Sequence, residues 1–318
     1  MIRQYQLYTC PGISSPNRNG YKVKFPIVIF YITFIFLLLF PVCSTSAITV
    51  TDDRGYVITL KQPSSRIISL APHTTELLFA AGAGNKIVGA VRYSYYPEQA
   101  KSIPRVGDTN NLDLERIISL EPDLIVAWQS NAMADTEMLR SLNIPIYVSE
   151  PESLEAVARS ILALGKLSGS VDQAKLASEM FYSRLHRLKM KYSGRTIIST
   201  FYQFWYDPIF TINGDHIIND VMQLCGGKNI FAEMRVLSAQ VSQEAVISAN
   251  PEVIVASGID ESRPEWLDQW NEWPQIAAVK NRHIYYIPPD LIQRHTPRIL
   301  DGAALMCEFI DKARTGNR

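Results

Sequence analysis

A short unit occurs twice in this chain, and it limits the fold more than any other feature. The first copy occupies residues 114–128 (LERIISLEPDLIVAW) and the second residues 244–256 (EAVISANPEVIVA). In each, a glutamate (Glu115, Glu244) opens a helical pattern and a proline (Pro122, Pro251) follows seven positions later. An acidic residue (Asp123, Glu252) then leads into an apolar, β-branched run. Proline disfavours helical geometry in the residue before it and so closes the helix. The Ile/Val run beyond it reads as a buried strand. The glutamates lie 129 positions apart, which suggests a molecule built from two similar halves; chance likeness of two short α/β units is the other reading.

A second echo supports the halves. His73, Gly84 and Ile87 are matched by His216, Gly227 and Ile230 at a constant offset of 143. Between them, residues 171–192 hold no Gly or Pro and place Ala174, Ala177, Phe181, Leu185 and Leu188 at helical spacing. Such a helix spans about 33 Å, the width of a domain. It reads as a rigid spine between lobes, or as an ordinary packing helix of the second half.

Strands are expected in a hairpin over 48–60 turning at Arg54-Gly55, and at 66–70, 87–91, 124–128, 145–148, 195–201, 253–256 and 284–287. A helix capped by Thr74 or Thr75 should follow 66–70, with loops at 71–74 and 203–208. Alternating strands and helices predict an α/β protein of two lobes, each a mostly parallel sheet flanked by helices. The boundaries read as 48–168, 169–193 for the spine and 194–318. Ligands of such sheets bind outside the carboxyl ends of the strands. The loops there hold Pro72, His73, Tyr93, Trp128, Trp205 and the stretch Asp290, Leu291, Ile292, Gln293, Arg294.

The first 47 residues carry four basic and no acidic residues, then an 18-residue apolar run ending before Cys43 and Ala47. Small residues at 45 and 47 fit a signal peptide cleaved after Ala47, and a retained anchor is the alternative. Either way the rest is exported. Without that segment 27 basic residues face 31 acidic ones, which argues against a nucleic-acid partner. Cys225 and Cys307 then remain in an oxidising compartment. A disulfide closing a loop of about 80 residues is one reading, worth roughly 3–4 kcal/mol, and two buried thiols the other.

No nucleophile–base signature, phosphate-binding glycine loop or metal-ligand spacing among the five histidines is present, so an enzyme is not expected. Tyr93, Trp128 and Trp205 suit a large, partly apolar ligand, although each could equally pack in a core. His73 is open to three readings: ligand to a metal centre in the bound molecule, hydrogen-bond donor, or satisfied loop residue. Arg294 could pair with the ligand or with a surface acid. Glu115 and Glu244 either stabilise their helix starts or form matched acidic knobs for a two-fold symmetric partner.

Several pieces, in order, carry a resemblance over about 66–314: Ile68-Ser69-Leu70-Ala71-Pro72, Tyr93-Ser94, Leu114-Glu115-Arg116-Ile117, Pro122-Asp123-Leu124, Cys225-Gly226-Gly227-Lys228-Asn229 and Pro297-Arg298-Ile299. The chain resembles the periplasmic cobalamin-binding proteins of vitamin-uptake ABC importers. The resemblance implies a class III binding-protein fold with a helical hinge, and a cleft holding one corrinoid. On it, Tyr93, Trp128 and Asp290 to Arg294 fall at ligand contacts, Glu115 and Glu244 at acids that dock permease arginines, and Cys225 with Cys307 at a disulfide. Thr109 and Ser238 stand where family members carry cleft tryptophans, and His73 where they carry a small residue. Haem or a ferric siderophore is therefore the alternative cargo, with His73 a possible axial ligand to cobalt or iron. A monomer is expected. An exported hydrolase or an anchored receptor domain is the reading from a different class.

Overall fold

Strand order is the same in the two main sheets of the computed structural model, which describes residues 47–131, 133–259 and 261–316. The expected leader lies outside these residues, Ala47 excepted. The chain begins with β1 (Ile48–Thr51) and β2 (Val57–Leu60), an antiparallel hairpin whose turn is held by Asp52 Oδ1 accepting from the Arg54 and Tyr56 N–H groups. Next come β3 (Ile67–Ser69), α1 (Pro72–Ala80), β4 (Ile87–Ala90), the small hairpin β5 (Gly107–Asp108) and β6 (Asn111–Leu112), α2 (Leu114–Ser119), β7 (Leu124–Trp128), α3 (Met133–Ser141) and β8 (Ile146–Ser149). Helices α4 (Leu154–Ser168) and α5 (Val171–Tyr192) follow. The second half has β9 (Ile198–Gln203), β10 (Trp205–Tyr206), β11 (Ile209–Ile212), α6 (Ile217–Leu224), β12 (Gly227–Asn229), β13 (Ser238–Gln240), α7 (Gln243–Ala249), β14 (Val253–Ala256), α8 (Ala277–Lys280), β15 (Ile284–Tyr286), α9 (Pro289–Ile292) and α10 (Ile299–Thr315).

The first sheet runs β4-β3-β7-β8 and the second β12-β9-β14-β15, with every neighbouring pair parallel. Each sheet thus places its first strand between its second and third. The repeated unit supplies the third strand of both, as α2–β7 and α7–β14. Its chemistry is reused closely. The residue before each proline, Glu121 or Asn250, takes φ 46°, a left-handed stop of the kind that ends helices. The acid after each proline pins the start of the neighbouring strand. Asp123 accepts from the Ser65 and Arg66 N–H groups at 2.8 and 3.0 Å, and Glu252 from the Ser199 N–H at 2.8 Å. Against the desolvation that opposes them, a hydrogen bond from the Ser64 hydroxyl and those from the Ser65 and Arg66 N–H groups hold the Asp123 carboxyl below its usual range.

Strands β3, β7, β9 and β14 are buried on both faces, as parallel sheets covered by helices require. One apolar cluster runs from Val50 and Ile67 through Phe181, Leu185 and Tyr192 of α5 to Met222 and Ile310. Two smaller clusters cover the opposite sheet faces, around Ile68 and Ile125 and around Phe201 and Ile254. Helix α5 therefore packs into a core common to both sheets. It is also tied by Lys189 to Glu155 of α4 at 2.6 Å and by Arg184 to Asp301 of α10 at 2.5 Å.

Three expectations need correction. The residues expected as a loop at 71–74 open α1: Pro72 takes its first position, and Thr74 Oγ1 accepts from the Ala71 N–H at 3.1 Å. Proline lacks the N–H that a first helical position leaves unpaired, so the helix starts there and His73 lies in its first turn. The strand expected at 195–201 begins three residues later. Residues 203–208 are not an open loop, because β10 and β11 pair and extend to β13 in a small antiparallel sheet.

Cys225, at the end of α6, is bonded to Cys307 in α10, and both are fully buried. Replacing both with serine should lower unfolding stability in guanidinium by about 2–4 kcal/mol. A loss under about 0.5 kcal/mol would show that the bridge is not formed or not stabilising.

Candidate ligand-binding site

In sheets of this order the chain leaves in opposite directions from adjacent strands, and a crevice opens where it does. Here that point lies between β3 and β7 in one half and between β9 and β14 in the other. The residues just past these strand ends face one another across a cleft. Pro72, His73 and Trp128 form one wall, and Phe204, Trp205 and Gly258 the other, around a chamber of about 430 Å³. A second chamber of about 540 Å³ is shared by Trp128, Glu150 and Pro151 from the first half with Tyr202, His216 and His295 from the second. Trp128, Phe204 and Gln293 border both.

Trp128 is held in place from behind. Its N–H donates to Asn131 Oδ1 at 2.6 Å, and Asn131 Nδ2 donates to the Leu70 and Thr109 carbonyls at 2.9 and 3.0 Å. One buried amide thus fastens the exits of β3, β5 and β7 together. Trp205 projects from the β10 hairpin, with its indole N–H donating to the Asp207 carbonyl at 3.1 Å.

The five-residue stretch after β15 divides by helical geometry. Asp290, Gln293 and Arg294 share one face of a turn, at spacings of three and four, and line the cleft. Leu291 packs against the main core, and Ile292 is fully buried in it. Neither of the two lines either chamber. Tyr93 is 63% exposed at φ 64° and stands at the rim, outside both chambers.

Arg294 is engaged within the protein. Its Nη1 meets Glu76 Oε1 at 2.9 Å, and its Nη2 meets Asp290 Oδ1 at 2.7 Å and the Tyr93 carbonyl at 3.3 Å. Arg298 reaches the same glutamate through Nε at 2.9 Å and Nη2 at 2.6 Å, and lies 4.0 Å over the Tyr96 ring. Glu76 belongs to α1 and both arginines to the other half. Glu76 is thus a clamp between halves.

Three histidines meet in the cleft wall. His73 and His216 hold equivalent places at the starts of α1 and α6, as their common offset suggests. His295 stands between them, with ring centroids 6.4 Å from His73 and 5.9 Å from His216. His73 is 8% exposed, packs edge-on to Trp128, and its Nε2–H donates to the Ser149 carbonyl at 3.3 Å. The nitrogen left for any metal is Nδ1. Among the described residues no group of side chains is arranged to hold a metal ion. Loss of water lowers His73 and His216 to about 4 and His295 to about 3, and the neighbouring imidazoles add to the effect on His295. Burial acts oppositely on Glu150, raising it to about 7.

Glu115 and Glu244 are exposed in the first turns of α2 and α7. The caps of those helices come from elsewhere: Asp113 accepts from the Arg116 N–H at 2.9 Å, and Ser242 from the Ala245 N–H at 3.2 Å. Neither glutamate enters an ion pair among the described residues. Sequence reasoning missed His295, Glu150 and Asn131 as parts of the cleft. The offset of 143 pointed to His216 without saying why.

The titration sets a direction for stability. The histidines sit below the free imidazole value, so their contribution is complete above about pH 6.5 and is lost as pH falls toward about 4. Glu150, raised above a free carboxyl, loses stability as pH rises toward about 7. Three groups outweigh one, so the melting temperature should fall between pH 7 and pH 5. Because Glu150 offsets about one of the three histidines, His295→Gln should remove about half of that net fall, and an undiminished fall would contradict the assignment.

Residues 67–291 match the family described as Periplasmic binding protein. A vitamin B12-binding protein of Vibrio campbellii is 39% identical over 254 residues, which cover 79% of this chain and 91% of that relative. The crystal structure of the periplasmic vitamin B12 binding protein of Vibrio cholerae is 37% identical, with a TM-score of 0.72 over 79% of this chain and 98% of that one. The periplasmic heme-binding protein of Roseiflexus sp. RS-1 in apo form is 21% identical, with a TM-score of 0.66 over 79% and 99%, a likeness of fold alone. The chain belongs to the periplasmic binding protein family.

Proposed function

We propose that this protein captures cobalamin or a closely related corrinoid in the periplasm and delivers it to the permease of an ABC importer. The observation that carries this reading is the pair of facing strand ends with Trp128 and Phe204 between two chambers. A broad, partly apolar disc is the ligand shape that uses both at once, with ring burial as the main source of affinity. Likeness to proteins named for vitamin B12 supports the choice of disc. We read residues 48–168 and 194–318 as the lobes and 169–193 as the spine. The continuous core along α5 favours small lobe movements, since large apolar interfaces hold domains together.

Glu115 and Glu244, equivalent and free of ion pairs, are read as the contacts to a two-fold symmetric permease. The leader over 1–47 supplies export and is removed. Calorimetric titration with cyanocobalamin should give a Kd below about 10 μM, weakened about 10- to 100-fold by Trp128→Ala. Glu115→Arg with Glu244→Arg should leave that Kd unchanged while abolishing corrinoid uptake in cells. Tight haemin binding with no cobalamin binding would replace the corrinoid reading by the haem one.

A further inference from the structure

The charges along the cleft do not balance, and the imbalance bears on what can enter. Arg294 is the one cation among the described residues lining the two chambers. Its guanidinium is held by Glu76, Asp290 and the Tyr93 carbonyl. Arg298 completes that cluster on Glu76, and a third carboxyl, Glu261, lies against Asp290, raised by burial and by that neighbour, so two arginines face three carboxyl groups and no positive charge is left over. The second chamber adds Glu150, Glu152 and Asp215 with no cation opposite them. The neighbouring His73, His216 and His295 are kept neutral by their surroundings and offer no compensation. Glu150 Oε2 is buried without a hydrogen-bond partner, which leaves an acceptor in the wall of this chamber.

We propose that this cleft sorts its ligands by charge, admitting a neutral corrinoid whose rim of primary amides supplies N–H donors to Glu150 and Asp215, and rejecting anionic tetrapyrroles and ferric chelates. The inference rests on the corrinoid reading above and refines it. A carboxylate brought into the second chamber meets the half-buried Glu150 and the exposed carboxylates of Glu152 and Asp215, and finds no free donor cation. An amide of the same shape meets acceptors. Buried polar groups left unmatched, or like charges brought together, discriminate far more strongly than a change in apolar shape does. Arg294, read from the sequence as a possible ligand contact, contributes by being unavailable.

The test separates charge from shape. Cyanocobalamin is compared with its monocarboxylic acids, in which one peripheral amide is hydrolysed to a carboxylate, at about pH 8, where Glu150 is ionised. At low salt the acids should bind about 10-fold or more weakly than the parent, and haemin, with two carboxylates, about 100-fold or more weakly. High salt should narrow both gaps. Asp215→Asn combined with Glu150→Gln, both near-isosteric changes, should bring the acids within about threefold of cyanocobalamin. Acids that match the parent within about twofold at low salt overturn the charge rule and leave corrinoid capture standing. Failure of cyanocobalamin itself to bind overturns the underlying reading instead.

Discussion

Glu76 sits in the first half of the molecule with its side chain 2% exposed, and both of the guanidinium groups that satisfy it come from the second half. A carboxylate taken out of water costs several kcal/mol unless cations and hydrogen bonds meet it. Here Arg298 binds it through two nitrogens and Arg294 through a third, and Arg294 continues to Asp290 and the Tyr93 carbonyl. The pair geometry is satisfied in one relative placement of the halves. Sliding them by even a few ångströms would leave a buried charge unmatched. The distances between Trp128, Phe204 and the three histidines depend on that placement, as does the charge compensation of Arg294, the one arginine among the described residues lining the cleft.

The other constraint is duplication. Both sheets use one strand order, and both third strands are introduced by a short helix, a left-handed residue, a proline and an acid that pins the strand beside it. Because the halves are alike, they present like features to one another: crevice to crevice, and helix start to helix start. That explains why His73 and His216 converge from opposite walls. Burial lowers all three imidazoles, and His295, set between the other two, is lowered further by them, so the wall holds neutral imidazoles. It also explains why Glu115 and Glu244 occupy matching exposed corners.

Much of this was legible in the sequence because it is local or periodic. Residues 171–192 form a helix with the bounds their composition implies, and the proline-ended units become third strands. The Cys225–Cys307 pairing was one of two readings, and the bridge is formed. What was not legible depends on contacts between distant residues. Glu76 lies 218 and 222 positions from its arginines, and nothing nearby in sequence marks it out. Asp290 to Arg294 read as one loop, yet a single helical turn sends Leu291 and Ile292 into the core and the rest to the cleft. Residues 203–208 looked like a loop because the β10 strand within them is only two residues long, and it is held in a sheet by β11, which in turn pairs with β13 some thirty residues on.

The most direct measurement is a crystal structure with cyanocobalamin bound. The corrin ring should lie between Trp128 and Phe204, reach into both chambers, and leave Glu76 bound to Arg294 and Arg298 with the halves in their present relation. Cobalamin seated outside this cleft, or bound with the Glu76 pairs broken and the halves swung apart, would contradict the central claim that one buried carboxylate fixes the geometry of the site.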